Sequence, residues 1–281
     1  LASLESQGLA AIVVVDNGSS ADEVAALRAQ HGIRLLPLET NQGFAGPANL
    51  GARKVGETKA ARYLVLVNND CVLDAGYVAA CAEVLDADPS LVAVQGVILD
   101  AKGERVDGCG LGWNDRGEAV QVGWGGPPPA RESAVFAVAG VSGTAPVFRL
   151  DAFLDSGGFE PSFFAYYEDA DLSLRLARGG GRFACVPAAR ARHAGSQTGR
   201  RRPELMWRRL LTNRIRTLRR NVEAKGRHAS LVPAAIRSAA LDIGWMKAVE
   251  TALAALVEAS RRRRIDAEML AALPPLARLP R

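Results

Sequence analysis

The stretch Ala11-Ile12-Val13-Val14-Val15-Asp16-Asn17-Gly18-Ser19 sets the pattern for the first half of the chain. Its run of β-branched residues favours a strand, and the Asp-Asn-Gly-Ser that follows is typical of a turn. Apolar residues at helical spacing continue over Ala21–Gln30, and Ile33–Leu38 then predicts a second strand. The order strand, helix, strand with short connections is typical of α/β proteins.

The same alternation continues to residue 99. Further helices and strands are predicted over Ala48–Val55, about Gly76 to Ala87, Tyr63–Val67 and Leu91–Leu99. We therefore expect a mostly parallel sheet with flanking helices. Ligands of such sheets bind at the carboxyl ends of the strands, and Asp16 and Asp70 each lie just past a strand.

The second half of the chain is less regular. Residues 103–131 are rich in Gly and end in Pro127-Pro128-Pro129, which favours an irregular excursion or a hairpin. Beyond it we expect strands at Val135–Val138, Val147–Leu150 and Phe183–Val186, a helix at Glu168–Arg178, and mainly helix after Pro203.

The composition excludes several classes of protein. With 281 residues, 48% of them hydrophobic and 23% charged, the chain can bury a core, which argues against intrinsic disorder. Its four Cys show neither a disulfide framework nor a CxxC zinc pair, so a cytoplasmic setting is expected. The longest uncharged run, Ser133 to Phe148, falls short of the roughly 20 residues that span a bilayer.

Charge is distributed unevenly. Residues 1–189 hold 14 Lys and Arg against 23 Asp and Glu, whereas residues 190–228 hold 13 against 2. A basic segment behind an acidic body suggests that a polyanion binds near residues 190–228. Nucleic acid, anionic lipid and a diphosphate all fit this charge.

Two acidic motifs carry the candidate chemistry. Asn68-Asn69-Asp70 follows an apolar strand and offers oxygen ligands suited to Mg²⁺ or Mn²⁺, although Asp70 in a helix cap explains the motif equally well. Tyr166-Tyr167-Glu168-Asp169-Ala170-Asp171 places three carboxylates at a helix start behind aromatic residues. Such carboxylates either complement the helix dipole or, held near apolar rings, include a general base.

Two further features are weaker signals. His193 follows a strand-like segment and precedes the basic run, so it is a metal or phosphate ligand or a surface residue. The segment Asn41-Gln42-Gly43-Phe44-Ala45-Gly46 is a turn before a helix and a candidate phosphate cradle. It matches neither the Walker A nor the GxGxxG pattern.

The order of these motifs resembles the family 2 inverting glycosyltransferases, and among them rhamnosyltransferase-like members. The resemblance covers about residues 1–220, including Thr212-Asn213-Arg214, and depends on motifs that are weak singly and specific as an ordered set. These are Val-Val-Asp-Asn-Gly-Ser at 14–19, Asn-Gln-Gly-Phe-Ala at 41–45, Asn-Asn-Asp at 68–70, Gly-Gly-Phe at 157–159, Tyr-Glu-Asp-Ala-Asp-Leu at 167–172, and His193.

The resemblance implies a GT-A fold, which is a Rossmann-like sheet that binds a nucleotide-diphosphate sugar. Asp169 matches the catalytic base, with Glu168 beside it, and Asp70 matches the residue that binds Mg²⁺ or Mn²⁺, completed in some members by His193. The implied nucleotide-sugar contacts are Asp16, Asn17, Asn41, Gly43, Phe44, Asn49, Asn68 and Asn69.

Two positions depart from the family pattern. Asn68 stands where the family's Asp-x-Asp motif has its first acid, which predicts weaker metal binding. The family's first strand is missing before Leu1–Gln7, so the chain as given is expected to be destabilised and poorly active. We expect a GT-A catalytic domain over residues 1–200 and a basic, mainly helical C-terminal extension over residues 201–281.

The predicted function is transfer of a sugar, with rhamnose as one candidate, from a nucleotide-diphosphate sugar to a glycan or lipid-linked acceptor, with inversion. The basic segment is then expected to contact anionic head groups at the inner face of the cell membrane. Leu241, Trp245, Ala248 and Leu253 share a helix face that fits either a membrane surface or the catalytic domain. The alternatives are a nucleotidyltransferase of related fold and an inactive domain that acts as a basic membrane or polyanion adaptor.

Overall fold

A computed structural model describes residues 1–58, 61–114, 116–195 and 203–221, together with the short pieces 247–248 and 251–252. Strands and helices alternate along the first half of the chain, as predicted, and the α/β class is confirmed. The helices are α1 (Ala2–Glu5), α2 (Ala21–Arg28), α3 (Ala45–Gly56), α4 (Tyr77–Ala87), α5 (Leu150–Asp155), α6 (Glu168–Arg178) and α7 (Pro203–Asn221), with a 3₁₀ turn at Pro161–Phe163.

The described strands form one large sheet and two pairs. They are β1 (Ile12–Asn17), β2 (Ile33–Leu38), β3 (Tyr63–Val65), β4 (Cys71–Leu73), β5 (Leu91–Leu99), β6 (Val106–Gly108), β7 (Leu111–Trp113), β8 (Ala119–Gln121), β9 (Phe136–Val138), β10 (Pro146–Arg149) and β11 (Arg182–His193). The large sheet has the order β3-β10-β5-β11-β4, with β6 added to β5 and β9 added to β11. The predicted hairpin within residues 103–131 is the pair β7–β8.

The large sheet is mixed, and here the structure differs from the expected mostly parallel arrangement. Strands β5 and β11 are parallel, but β10 lies antiparallel between β3 and β5, and β4 is antiparallel to β11. The physical reason is the connection: parallel neighbours need a crossover, usually a helix. The described chain between β5 and β10 instead consists of strands and turns, so β10 enters the sheet in the opposite direction.

Strands β1 and β2 form a separate parallel pair, in register from Ile12 with Ile33 to Asn17 with Leu38. Within the described residues neither strand pairs with the large sheet. Helix α3 covers β1, and the absence of a side chain at Gly51 allows Val15 to approach closely. The apolar residues of β1 stay half-buried, whereas those of β5, which has neighbours on both sides, are almost all buried.

Helix α7 packs on the rest of the protein rather than extending away from it. Leu211, Ile215 and Leu218 share one face and are buried, and this face contacts α6. The predicted boundary at residue 200 stays a prediction. Of the residues predicted to share a later helix face, Ala248 is described and buried, whereas Leu241, Trp245 and Leu253 lie outside the described residues. No described helix meets the length and hydropathy that a bilayer crossing requires.

The Tyr77 hydroxyl joins strand β5 to the residue just before β10, and this contact provides the first prediction. The hydroxyl donates to the Ala145 carbonyl (2.6 Å) and accepts from the Gly96 N–H (2.9 Å), all of them buried. Tyr77→Phe leaves both backbone groups unsatisfied, so we expect the free energy of unfolding to fall by about 1–3 kcal/mol in urea denaturation.

Tyr63→Phe is the matched control, because the Tyr63 hydroxyl donates to Asp86 at the surface. Its effect should stay within about 0.5 kcal/mol. Equal losses in the two variants would contradict the structural role of Tyr77.

Candidate active site

A short backbone segment, residues 142–146, joins the two acidic motifs found in the sequence. Past the end of β3, Leu66 N–H donates to the Pro146 carbonyl (3.1 Å) and Asn68 N–H donates to the Thr144 carbonyl (3.0 Å). Gly143, the residue before Thr144, donates its N–H to Asp169 Oδ2 (3.0 Å). The Asn68-Asn69-Asp70 turn and the start of α6 therefore lie on either side of this segment.

The two residues predicted to bind a metal ion, Asp70 and His193, lie close together at the end of the large sheet. Pairing of β4 with β11 sets Cys71 opposite His193, and His193 Nε2 lies 3.2 Å from Asp70 Oδ1. The other ring nitrogen, Nδ1, lies 2.7 Å from Asp107 Oδ2. Asp70 and His193, predicted from distant parts of the sequence, are thus brought together. Asp107 on β6 was missed, because an isolated acid in a Gly-rich segment carries no spacing signal.

The contact with Asp107 fixes the orientation of the imidazole. It raises the pKa of His193 above its ordinary value, the charges of Asp70 and Asp107 act in the same direction, and burial of the ring opposes them. A carboxylate bonded to one ring nitrogen of a metal-binding histidine orients the other nitrogen toward the metal.

The donor set fits a divalent cation that is shared with a substrate. No cage of three His, Cys, Asp or Glu side chains is present in the described part of the chain. Asp70 and His193 supply one carboxylate and one imidazole, both partly accessible. Mg²⁺ commonly takes one or two protein carboxylates and completes its octahedron with phosphate oxygens and water, and imidazole is a further donor for transition metals.

Glu168 and Asp169 open helix α6 on the other side of the segment. Asp169 is partly buried and accepts from Gly143 N–H and from Ala170 N–H (2.8 Å). Burial raises the pKa of Asp169, and these two hydrogen bonds oppose the rise. Glu168 is 6% exposed, and burial followed by the neighbouring Asp169 charge raises its pKa well above the usual range. Glu168 Oε2 has no hydrogen-bond partner among the described groups.

Phe44 and Gly143 form an apolar wall beside this carboxylate pair. A Cβ on Gly143 would lie 3.1 Å from the Phe44 ring and 3.7 Å from Glu168 Oε1, so glycine lets the ring and the carboxylate approach the backbone. Phe44 also contacts Phe159, with ring centroids 5.4 Å apart. Phe44 comes from the loop before α3 and not from the aromatic residues beside the acidic motif, and its ring adds to the low-polarity surroundings in which burial raises the pKa of Glu168.

The predicted nucleotide-contacting residues shape one loop. Asn17 Nδ2 donates to the Gly43 carbonyl (2.7 Å), and Asn41 Oδ1 accepts from Gly43 N–H (2.8 Å). Asp16 is 4% exposed; its Oδ1 accepts from Ser19 N–H (3.3 Å), and its Oδ2 lacks a partner within the described structure. An unpaired buried carboxylate oxygen is costly unless a ligand donor satisfies it.

Three predicted residues behave differently. The Asn49 amide is occupied by the backbone of Phe159, donating to its carbonyl (2.7 Å) and accepting from its N–H (2.8 Å), so Asn49 fixes α3 to the Gly-Gly-Phe turn. Its predicted nucleotide contact stays a prediction. Asn68 is half-buried and Asn69 exposed beside Asp70.

A cavity of about 300 Å³ lies next to this loop and is lined by residues that include Leu38, Gln42 and Arg53. None of the acidic site residues lines it.

Comparison with known proteins identifies the fold. Solved structures of similar fold include GalNAc-T7 with UDP, GalNAc and Mn²⁺ (TM-score 0.62, 13% identity, 94% of this chain and 50% of that one). They also include the mannosyltransferase PcManGT from Pyrobaculum calidifontis with GDP-Man and Mn²⁺ (TM-score 0.53, 19% identity, 96% and 72%). The chain therefore spans half the length of the first of these structures. This likeness assigns the chain to the GT-A fold class.

Sequence comparison places the chain within that class. Residues 1–111 match "Glycosyl transferase family 2", and residues 63–222, more than half of the chain, match "Glycosyl transferase family group 2". The chain belongs to this glycosyltransferase family. An N-acetylglucosaminyl-diphospho-decaprenol L-rhamnosyltransferase from Mycobacterium tuberculosis is 27% identical over 218 residues, which cover 70% of this chain and 71% of the relative.

Burial of Glu168 generates a stability prediction with a defined pH dependence. Because the pKa of Glu168 is raised on folding, the unfolded chain ionises first as pH rises, and stability is lost above the unfolded pKa of about 4.3. We expect Glu168→Gln to increase the free energy of unfolding at pH 8 by on the order of 1 kcal/mol. The gain should vanish below pH ~4, where the wild-type side chain is neutral in both states.

Chemical denaturation at the two pH values measures this difference. Asp155→Asn, which changes an exposed carboxylate at the end of α5, is the control. It should leave the free energy of unfolding unchanged at both pH values. A Glu168→Gln variant that is less stable than wild type at pH 8 would contradict the destabilising role of Glu168.

Proposed function

We propose that this glycosyltransferase moves a sugar from a nucleoside-diphosphate sugar to a hydroxyl of a lipid-linked glycan, with inversion and with Mg²⁺ or Mn²⁺. Rhamnose is the candidate sugar. The observation that carries the proposal is the segment 142–146, which holds Asp169 on one side and the turn that ends in Asp70 on the other. The name of the mycobacterial relative supports a lipid-diphosphate acceptor and rhamnose.

Asp169 acts as the base in this proposal. The acceptor hydroxyl transfers its proton to the Asp169 carboxylate while its oxygen bonds to the anomeric carbon. The bond from that carbon to the diphosphate breaks, and the nucleoside diphosphate leaves from the opposite face, so a single displacement inverts the centre. Burial makes the carboxylate a stronger base, while the N–H groups of Gly143 and Ala170 keep it correctly placed.

Asp70 and His193 would hold the divalent cation. When bound, the ion supplies positive charge to the leaving diphosphate, where most negative charge develops. Asp107 keeps the imidazole of His193 turned toward Asp70. The loop of Asn17, Asn41 and Gly43 receives the nucleotide, and the unpaired Oδ2 of Asp16 accepts from its base or ribose.

The alternative of a basic adaptor gains no support from helix α7. Arg214 donates to Glu118 (2.8 Å), Arg220 to Glu160 (2.7 Å) and Arg216 to the Ser162 carbonyl (3.0 Å), so these guanidinium groups serve internal contacts. The predicted contact of the basic segment with a membrane stays a prediction, and its residues Arg200, Arg201 and Arg202 lie outside the described residues. Release of a nucleoside diphosphate, rather than pyrophosphate, separates sugar transfer from nucleotidyl transfer.

Replacement of the base tests the mechanism. We expect Asp169→Asn to lower kcat by about 10²–10⁴-fold, the usual contribution of general-base catalysis. The assay offers a panel of nucleoside-diphosphate sugars, rhamnose included, with a polyprenyl-diphosphate N-acetylglucosamine acceptor, and measures released nucleoside diphosphate. Binding of the nucleotide measured by calorimetry should be retained. Near-normal transfer by the variant would remove Asp169 as the base.

The cation site is tested by binding as well as by activity. EDTA should abolish transfer and added Mn²⁺ restore it. Asp107→Ala should weaken Mn²⁺ binding by about 10–100-fold, the usual effect of losing a carboxylate that orients a histidine ligand. Electron paramagnetic resonance of free Mn²⁺ with the nucleoside diphosphate present measures this affinity. Asp22→Asn, an exposed carboxylate on α2, is the control. Equal affinity in wild type and Asp107→Ala would exclude the orienting role of Asp107.

A further inference from the structure

The turn directly before α6 has an unusual backbone. Phe164, Tyr166 and Tyr167 have φ values of 63°, 73° and 67°, in the left-handed region that side chains with a Cβ rarely adopt. Such residues are strained and persist only where the surrounding structure holds them. This turn leads directly into Glu168 and Asp169, so its conformation determines the position of the first residues of α6, which carry both carboxylates.

Helix α7 holds the turn through one amide group. Asn213 Nδ2 lies 2.9 Å from each of three turn carbonyls, those of Phe163, Ala165 and Tyr166. Asn213 is 1% exposed, so water does not compete for these contacts. Its Oδ1 accepts from Arg216 Nη1 (3.2 Å), which leaves the donor end of the amide facing the turn.

The opposite side of the turn contacts the nucleotide loop. The Phe164 carbonyl accepts from Phe44 N–H (2.5 Å) and Ala45 N–H (3.3 Å), at the start of α3. The guanidinium of Arg209 on α7 lies 3.9 Å from the centre of the Phe164 ring. The turn is therefore held between the loop that bears Gly43 and the helix that bears Asn213.

We propose that Asn213 is a positioning residue for Asp169, which acts by fixing the turn at residues 163–167. This inference rests on the proposed role of Asp169 as the base. Without the amide, the carbonyls of Ala165 and Tyr166 lose the donor that Asn213 supplies, and that of Phe163 keeps only the Ala165 N–H. The turn then relaxes toward ordinary φ values, which shifts the start of α6 relative to Gly143. A displacement of about 1 Å at a reacting group costs about 10²-fold in rate.

Helix α7 has other anchors, so its docking does not depend on Asn213. Arg214 bonds to Glu118 (2.8 Å) and to the Arg116 carbonyl (2.7 Å), and Asn221 donates to Asp171 (2.9 Å) at the far end of the helix. The buried apolar face of α7 adds to these bonds. Loss of the Asn213 amide should therefore release the turn and leave the helix in place.

Two variants and a control test the proposal. Asn213→Ala removes the donors, and Asn213→Asp keeps the size but sets a carboxylate against three carbonyls. For both variants we expect kcat to fall about 100-fold while KM for the nucleotide sugar changes less than about twofold. Thr217→Val is the control, because it changes a buried side chain one turn further along α7 at nearly constant volume and should leave kcat unaltered.

Hydrogen exchange supplies a readout that does not depend on activity. Peptides covering residues 163–170 should exchange faster in both Asn213 variants, whereas those covering 203–221 keep wild-type protection. Unchanged kcat and exchange, or a general loss of protection across α7, would overturn the positioning role. If the wild-type chain transfers no sugar, the proposed function fails, and exchange at 163–170 still decides whether Asn213 holds the turn.

Discussion

The site depends on one run of backbone hydrogen bonds. Pairing of β10 with β3 continues past the strand ends, through Leu66 with Pro146 and Asn68 with Thr144. One residue earlier, the Gly143 N–H binds the Asp169 carboxylate. The Asn-Asn-Asp turn and Asp169, a hundred residues apart in sequence, therefore lie on either side of residues 142–146. The central sheet determines the position of this strip of backbone. The antiparallel direction of β10 makes this possible, because it places the beginning of β10, and the residues just before it, beside the end of β3 where the Asn-Asn-Asp turn follows.

Contacts around the start of α6 compensate for unfavourable contributions that the candidate site makes to the free energy of folding. A buried carboxylate pair and a turn with left-handed backbone both oppose folding, and they adjoin each other at the start of α6. The remainder of α6 compensates, because Asp171 in its first turn binds Arg175, and Arg175 also donates to the carbonyls of Ser156 and Gly158. The Gly-Gly-Phe motif thus joins α6 to Asn49 of α3 and stabilises the position of α6.

Local patterns predict most elements because strands and helices here follow apolar periodicity. Asp70 lies in the turn between β3 and β4, directly before a strand that the sequence did not predict. Its approach to His193 follows from the long strand β11, of which the sequence predicted only Phe183–Val186. Interactions that depend on topology were not predictable from one sequence. Asp107 reaches His193 only because β6 pairs with β5, and the direction of β10 depends on an excursion without periodicity. The side chain of Asn49, expected at the nucleotide, is used by the backbone of Phe159.

The uneven charge of the sequence has a structural counterpart inside the chain. Residues 1–189 carry an excess of acids and residues 190–228 an excess of bases, a pattern that by itself suggests an external polyanion. In the described part of the basic segment, Arg214 and Arg220 instead pair with Glu118 and Glu160 of the acidic body, with little exposure. A charge count along a sequence cannot distinguish an intramolecular interface from a binding surface, since both require complementary charge. Here the complement of the basic helix includes the surface around the turn that precedes Asp169, so much of its charge holds the helix against the active site.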